Sequence, residues 1–254
     1  MKRKKEQGPI KVLAALSMET KAARAMATGI LRFAATHREY EVVVACRSIL
    51  PQGTASLGGW KPDGLINGPL GGWKSEKRIH ARAEVFFQDI SGQKLPEGVA
   101  CGTVLCDNAA AGRIAAAHLI RRNMRHFGFV GERRVSDWVE MRERAFAEEL
   151  ASSGHEAPAS FYAGAEATLP EEEEALARWL LALPKPCGIF ASSDWRGKRV
   201  LDICRAARID VPGLVQVVGV DNEEYVCEQC LPTLTSIEPD FECGGYEADR
   251  KSVV

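Results

Sequence analysis

Residues 187–225 read CGIFASSDWRGKRVLDICRAARIDVPGLVQVVGVDNEEY, and this stretch decides the fold. Ile189 to Ala191 is a short apolar run that stops at Ser192, Ser193 and Asp194. Val200, Leu201, Cys204 and Ala207 then recur at helical spacing on one face. Pro212 and Gly213 punctuate, and Val215 to Val220 is almost unbroken apolar sequence, as expected of a parallel strand buried on both faces. The order is therefore strand, helix, strand. Polar residues follow both strands at once: Ser193-Asp194-Trp195 after the first, Asp221-Asn222-Glu223-Glu224 after the second. Open parallel sheets bind ligands outside the carboxyl ends of their strands, so the spacing predicts a polar site there.

Working outward, the same alternation extends in both directions. Upstream, Asp107-Asn108 stands at an N-cap position. A helix to Arg122, a strand over Phe127–Gly131, a helix over Asp137–Leu150 and a strand over Pro158–Tyr162 come next. Pro170 and the run Glu171–Glu174 open a further helix, with the acidic residues against the positive end of its dipole. Nearer the start, strands are expected at Ile10–Leu16, Glu41–Cys46, Gly64–Asn67, Val85–Phe87 and Thr103–Cys106, with an alanine-rich helix from Thr20 to about Phe33. Strands alternating with helices argue for α/β architecture with parallel sheets. Gly58-Gly59-Trp60-Lys61 and Gly71-Gly72-Trp73-Lys74 echo each other, but four residues do not make a structural repeat.

Several of these pieces also carry a family resemblance. SDWRGKRVL (193–201), IDVP (209–212), VVGVDNEE (217–224) and TSIEPD…GYEA (235–248) resemble the effector domain of LacI/GalR-type regulators, most closely the xylose-operon regulator branch. DNAAAGRIAAAHLIRR (107–122) and FGFVG (127–131) fit the same pattern. The resemblance implies a two-lobed type I periplasmic-binding-protein-like fold with parallel sheets and flanking helices. An N-terminal lobe would span 8–106 and a C-terminal lobe 107–234, with 235–248 as the return crossing and the ligand in the cleft between lobes. It also implies that Asp221, at the turn after a strand, contacts the effector, and that Arg142, four residues before Phe146, points into the cleft. Arg144 is the alternative if the register slips by two. Ser193 stands where the family usually has asparagine, a departure from its pattern.

A sugar presents several hydroxyls and an apolar ring face, so its site needs carboxylates, amides, an arginine fork and an aromatic cover. Asp221, Asn222, Arg142, Asp194, Ser193, Trp195 and Trp138 supply that set, with Met18 and Glu19 after the first strand. Asp194 doubles as a candidate N-cap for a helix beginning near Trp195.

Composition narrows the classes. In a chain of 254 residues, 46% hydrophobic and 26% charged residues are ordinary for a globular protein with real cores. The formal net charge of −1 supplies no long-range field for nucleic acid. No apolar run approaches the ~20 residues of a membrane span. Met1-Lys2-Arg3-Lys4-Lys5 is basic, but Glu6-Gln7-Gly8-Pro9 interrupts it and the apolar run Ile10–Leu16 is short. The segment therefore reads as a tail and first strand, not a secretory signal. Eight cysteines are scattered mostly within apolar runs, the usage of free thiols in a reducing cytoplasm. Cys227-Glu228-Gln229-Cys230 lacks the second pair a zinc site needs, and no metal or cofactor is expected. The five histidines, at 37, 80, 118, 126 and 155, form no ligand-spaced pair. No G-x-S-x-G, G-x-G-x-x-G or P-loop occurs, so no catalytic residue is nominated.

The expectation is a cytoplasmic sugar-sensing domain, for xylose or another pentose, signalling by cleft closure within a homodimer. The resemblance places a DNA-binding helix-turn-helix domain beyond the C-terminus, so DNA is a partner only of a longer protein. Asp249-Arg250-Lys251-Ser252-Val253-Val254 reads like the translation of a common sequencing-library adapter and is expected to be non-native. Two rivals share the architecture: a solute-binding protein of a sugar transporter, and an α/β enzyme with an aspartate at a strand end.

Overall fold

The computed structural model describes residues 8–46, 58–68, 79, 81–87, 97–132, 137–162 and 168–251. Two compact units divide it: residues up to Cys106 with those from Asp240 onward, and Asp107–Pro239. The second GGWK segment and His80 lie outside the described residues, as do the side chain of Cys46 and residues 252–254.

The first unit has five strands, β1 (Ile10–Leu16), β2 (Tyr40–Cys46), β3 (Gly64–Asn67), β4 (Ala83–Phe86) and β5 (Ala100–Thr103). They pair in parallel in the order β2-β1-β3-β4-β5. Val12, Ala14 and Leu16 of β1 belong to one core and Leu13 and Ala15 to another, because successive strand residues face opposite sides of the sheet. Helix α1 (Lys21–Thr36) begins at Thr20, whose hydroxyl accepts the amide of Ala23, and buries Met26, Ile30 and Phe33. Strand β5 lies three residues earlier than the sequence suggests. Residues 99–106 carry no charge and only one polar side chain, Thr103, so pairing with β4, Ala83 opposite Ala100 through Phe86 opposite Thr103, selects the four that form the strand.

The second unit repeats the plan. Its strands are β6 (His126–Val130), β7 (Ala159–Phe161), β8 (Cys187–Ala191), β9 (Val215–Val220) and β10 (Thr235–Ile237), in the order β10-β9-β8-β6-β7. Numbered within each unit, the first sheet runs 2-1-3-4-5 and the second 5-4-3-1-2, the same doubly wound order read from opposite edges, with its switch point between strands 1 and 3. Helices α2 (Asn108–Arg121) and α3 (Asp137–Ser152) cover one face. Helices α4 (Leu169–Ala182) and α5 (Asp194–Ala206) cover the other. Alternation on the strands feeds both cores: Phe127 and Phe129 pack toward α2 and α3, and Val130 toward α4 and α5. α6 (Glu224–Glu228) links β9 to β10.

Thr235–Ile237 is an edge strand hydrogen-bonded to β9, so the crossing out of this unit falls after Pro239. The last helix, α7 (Phe241–Lys251), then packs on α1, with Arg32 paired to Glu242 and Tyr246 edge-on to Phe33. Asp240 caps its first turn by accepting the amide of Cys243 at 2.9 Å.

Candidate functional site

The polar residues of the second unit collect at the carboxyl ends of β6, β8, β9 and β10. α3 brings in the cation. Arg142 is only 4% exposed. Its Nε donates to Asn108 Oδ1 at 2.9 Å, a second nitrogen donates to the Ser192 carbonyl, and the third lies 3.7 Å from Asp221 Oδ1. The Trp138 ring covers its guanidinium, with Cζ 4.7 Å from the ring centroid. Packing explains this placement. A Cβ on Gly112 would stand 2.4 Å from the Arg142 carbonyl, so glycine lets α2 and α3 touch backbone to backbone and brings Arg142 to Asn108 one turn away. Arg144, the register alternative, is exposed, 3.9 Å from Glu148.

Asp221 follows β9 with φ of 103°, and Asn222 has φ of 46°, both in the left-handed region. Such conformations cost roughly 1–3 kcal/mol and gather at ligand sites. Neighbours pin the turn: Asp221 N donates to Ile237 O at 2.9 Å, Asn222 N to Ser236 Oγ at 2.9 Å and Asn222 Nδ2 to Glu238 Oε2 at 3.0 Å. Desolvation pushes the Asp221 carboxyl up to about 7. Arg142 opposes that rise, while Asp194, Glu132 and Glu223 add to it. The Asp221 side chain is nevertheless 36% exposed, so solvent and any ligand reach it.

Asp194, expected at the ligand, is bonded to the neighbouring strand ends. It is 1% exposed, with Oδ1 accepting the Ser236 hydroxyl at 2.6 Å and Oδ2 accepting the Glu223 amide at 2.7 Å. It is a strut joining the ends of β8, β9 and β10. Gly219 of β9 makes room for it, since a Cβ there would meet Oδ1 at 2.3 Å. Nor is Asp194 the N-cap of α5. Ser193 is, accepting the Arg196 amide at 3.4 Å, because the β8 turn leaves Ser193 extended while Asp194 is already helical. Trp195 is 58% exposed on the first turn of α5. Met18 and Glu19 follow β1 in the other unit, where their carbonyls accept Arg24 Nη1.

The motif reading missed Glu132, directly after β6. Its Oε1 accepts the Ser193 hydroxyl at 2.7 Å and its Oε2 accepts Arg196 Nε at 3.0 Å. Its signal was available: a carboxylate ending the run FGFVGE at a strand terminus. Asn67, at the end of β3 beside the first unit's switch point, was also missed; among the described residues its buried Nδ2 has no hydrogen-bond partner.

The thiols carry no site. Cys187, Cys204, Cys227 and Cys230 are buried and unpaired, and burial raises the pKa of each, which keeps them protonated. Among the described residues no group of histidine, cysteine or acidic side chains is arranged to hold a metal ion, and no helix is long and apolar enough to cross a membrane.

A sequence model of the periplasmic binding protein-like domain matches residues 116–251, more than half of the chain. The chain belongs to this family. It is similar to the xylose operon regulatory proteins of Haemophilus influenzae (31% identical over 152 residues) and Escherichia coli K12 (32% over 153). Each match covers 58% of this chain but only 39% and 38% of those relatives, so the chain spans about two fifths of their length. Its fold is similar to that of a xylose-binding transcription activator (TM-score 0.69, 21% identity, 94% of this chain and 61% of that one). It is also similar to that of a putative ribose operon repressor from Burkholderia thailandensis (0.69, 19%, 97% and 92%).

Proposed function

We propose that this chain is the sugar-sensing, effector-binding part of a transcription regulator, with xylose or another pentose as its ligand. The observation that carries the reading is the Arg142–Asp221 pair: a buried guanidinium, fixed by Asn108 and Ser192, facing a partly exposed carboxylate on a strained turn. The two groups stand 3.7 Å apart, a loose ion pair. A sugar hydroxyl, being donor and acceptor at once, can give its proton to Asp221 and accept one from Arg142. Asn222 and Trp138 extend the same surface with an amide and a ring. The likeness to xylose operon regulatory proteins at 31–32% identity supports this ligand class.

The sugar signals by binding one conformation of the protein better than another, which shifts their populations. Catalysis plays no part in that scheme, and the working compartment is the cytoplasm. DNA binding and dimer formation belong to the longer protein of which the relatives are examples. A transport solute-binding protein is the rival on the same fold, and sugar binding alone does not separate the two. Recovery of the gene with a DNA-binding domain attached decides for the regulator.

Thermal unfolding against xylose, arabinose, ribose, glucose and galactose tests the binding claim. At ligand ~100-fold above Kd the folded state gains roughly 2.7 kcal/mol, a rise in Tm of about 5–10 °C. A selective rise that vanishes in Arg142→Ala supports the reading. A sharp transition that no sugar moves overturns it.

A further inference from the structure

We propose that Glu132 is a positioning residue for the Arg142–Asp221 pair, holding the Ser192–Ser193 turn beneath it and placing a fixed negative charge beside it, with Arg196 as its anchor. Only the sugar-binding arm of its test rests on the proposed function.

Glu132 stands two residues past β6, one of the two strands at the switch point, and 29% of its side chain is exposed. Its Oε1 accepts the hydroxyls of Ser193 (2.7 Å) and Ser192 (3.3 Å), and its Oε2 accepts Arg196 Nε (3.0 Å). Arg196 is buried and its far end is paired to Glu172, also buried, in the first turn of α4. A guanidinium held between two carboxylates is fixed in plane and direction, so Glu132 has little freedom to swing. Ser192 then serves two partners: its hydroxyl donates to Glu132 and its carbonyl accepts Arg142. Ions and hydrogen bonds thus run unbroken from Glu172 through Arg196, Glu132 and Ser192 to Arg142 and Asp221.

Charge acts alongside position. The charged groups facing Asp221 are Arg142 from α3, Asp194 from α5, Glu132 after β6 and Glu223 before α6. Three of the four are acidic and disfavour a second negative charge at Asp221. Glu132 is the one among the three that Arg196 anchors.

The test uses the ligand-free chain. The Asp221 carboxyl carbon is titrated by NMR, assigned by its absence in Asp221→Asn. Neutralising Glu132 with Glu132→Gln is expected to lower the Asp221 midpoint by roughly half a pH unit or more; an unmoved midpoint overturns the electrostatic role. Glu132→Asp keeps the charge but shortens the reach, so the midpoint should hold. In that variant the Arg142 Nε–H, bonded to Asn108, should exchange with solvent about tenfold faster; unchanged exchange overturns the positioning role. This second variant also decides the matter if Glu132→Gln fails to fold. In a final arm, any sugar that binds the parent chain should bind Glu132→Asp about tenfold more weakly, whereas equal binding would separate Glu132 from the site.

Discussion

The two units share one strand order and, among the described residues, differ in what stands at the strand ends. In the second unit the described ends carry Glu132, Ser192, Ser193, Asp194, Asp221, Asn222 and Glu238; Arg142 ties Ser192 to Asp221, Arg196 holds Glu132, and Asn222 bonds Glu238. In the first, the described ends offer Met18 and Glu19 after β1, Asn67 closing β3, Phe87 after β4 and Val104 after β5. Topology fixes where a ligand can be met; the residues placed there decide whether one is held. The second unit is preorganised. Most of its polar groups are already bonded to one another, which leaves few to reorient when a sugar arrives.

Removing the cation attacks that difference most directly. Arg142→Ala leaves Asn108 Oδ1 and the Ser192 carbonyl without this donor and Asp221 without its counter-charge. Truncating one member of a buried hydrogen-bonded pair costs about 2–5 kcal/mol. Calorimetric titration should show no sugar binding, and denaturant unfolding should show a loss of about 3 kcal/mol. Retained binding would move the site away from α3.

Gly112→Ala tests the packing that delivers Arg142. The added Cβ would stand 2.4 Å from a backbone carbonyl, which no rotamer change relieves, so α2 and α3 must part. Overpacking of this kind costs roughly 1–3 kcal/mol. Chemical denaturation should show that loss together with weaker sugar binding, although residue 112 touches no ligand.

The titration of Asp221 gives a third prediction. Its folded-state pKa of about 7 lies above the ordinary aspartate value of about 3.9. Between those values the folded state holds the proton and the unfolded state does not, so stability falls as pH rises through the window. Full conversion would overstate the effect for a side chain 36% exposed; discounted for solvent screening it is on the order of 1–2 kcal/mol. Asp221→Asn should therefore unfold later than the parent at pH 8 and match it near pH 4. Urea melts at the two values check it, and an equal gain at both would point to relief of the strained turn instead.

The elements of both units were legible in the sequence, but the bonds between elements were not. Runs such as Val215–Val220 and Ile10–Leu16 suit buried parallel strands because they are short, almost wholly apolar and bounded by Pro-Gly or Gly-Pro punctuation. Asp221 and Arg142 were nominated from a family resemblance, and the structure brings them together. Asp194 was not readable as a strut, because its partners Glu223 and Ser236 lie 29 and 42 residues away and a strand-end carboxylate reads the same whether it faces a ligand or a neighbouring loop. Glu132 escaped for the converse reason: its meaning comes from Arg196, 64 residues on, with which it shares no motif. Local patterning specifies elements, whereas ion pairs between elements exist only once the sheet has set its order.

The smallest expected effect belongs to the first unit. Asn67 ends β3 with an amide nitrogen that is buried and, among the described residues, unpaired. An unsatisfied buried donor carries its desolvation penalty with no return, so Asn67→Ala should leave stability unchanged or raise it by up to about 1 kcal/mol. That is the reverse of the loss expected for Arg142→Ala, whose guanidinium is held on every side. Sugar binding supplies the sharper outcome. If the second unit alone recognises the ligand, Asn67→Ala binds the same sugar with unchanged affinity. A fall of about tenfold, one hydrogen bond's worth, would instead give Asn67 a ligand hydroxyl as its missing partner and extend recognition to the first unit's sheet.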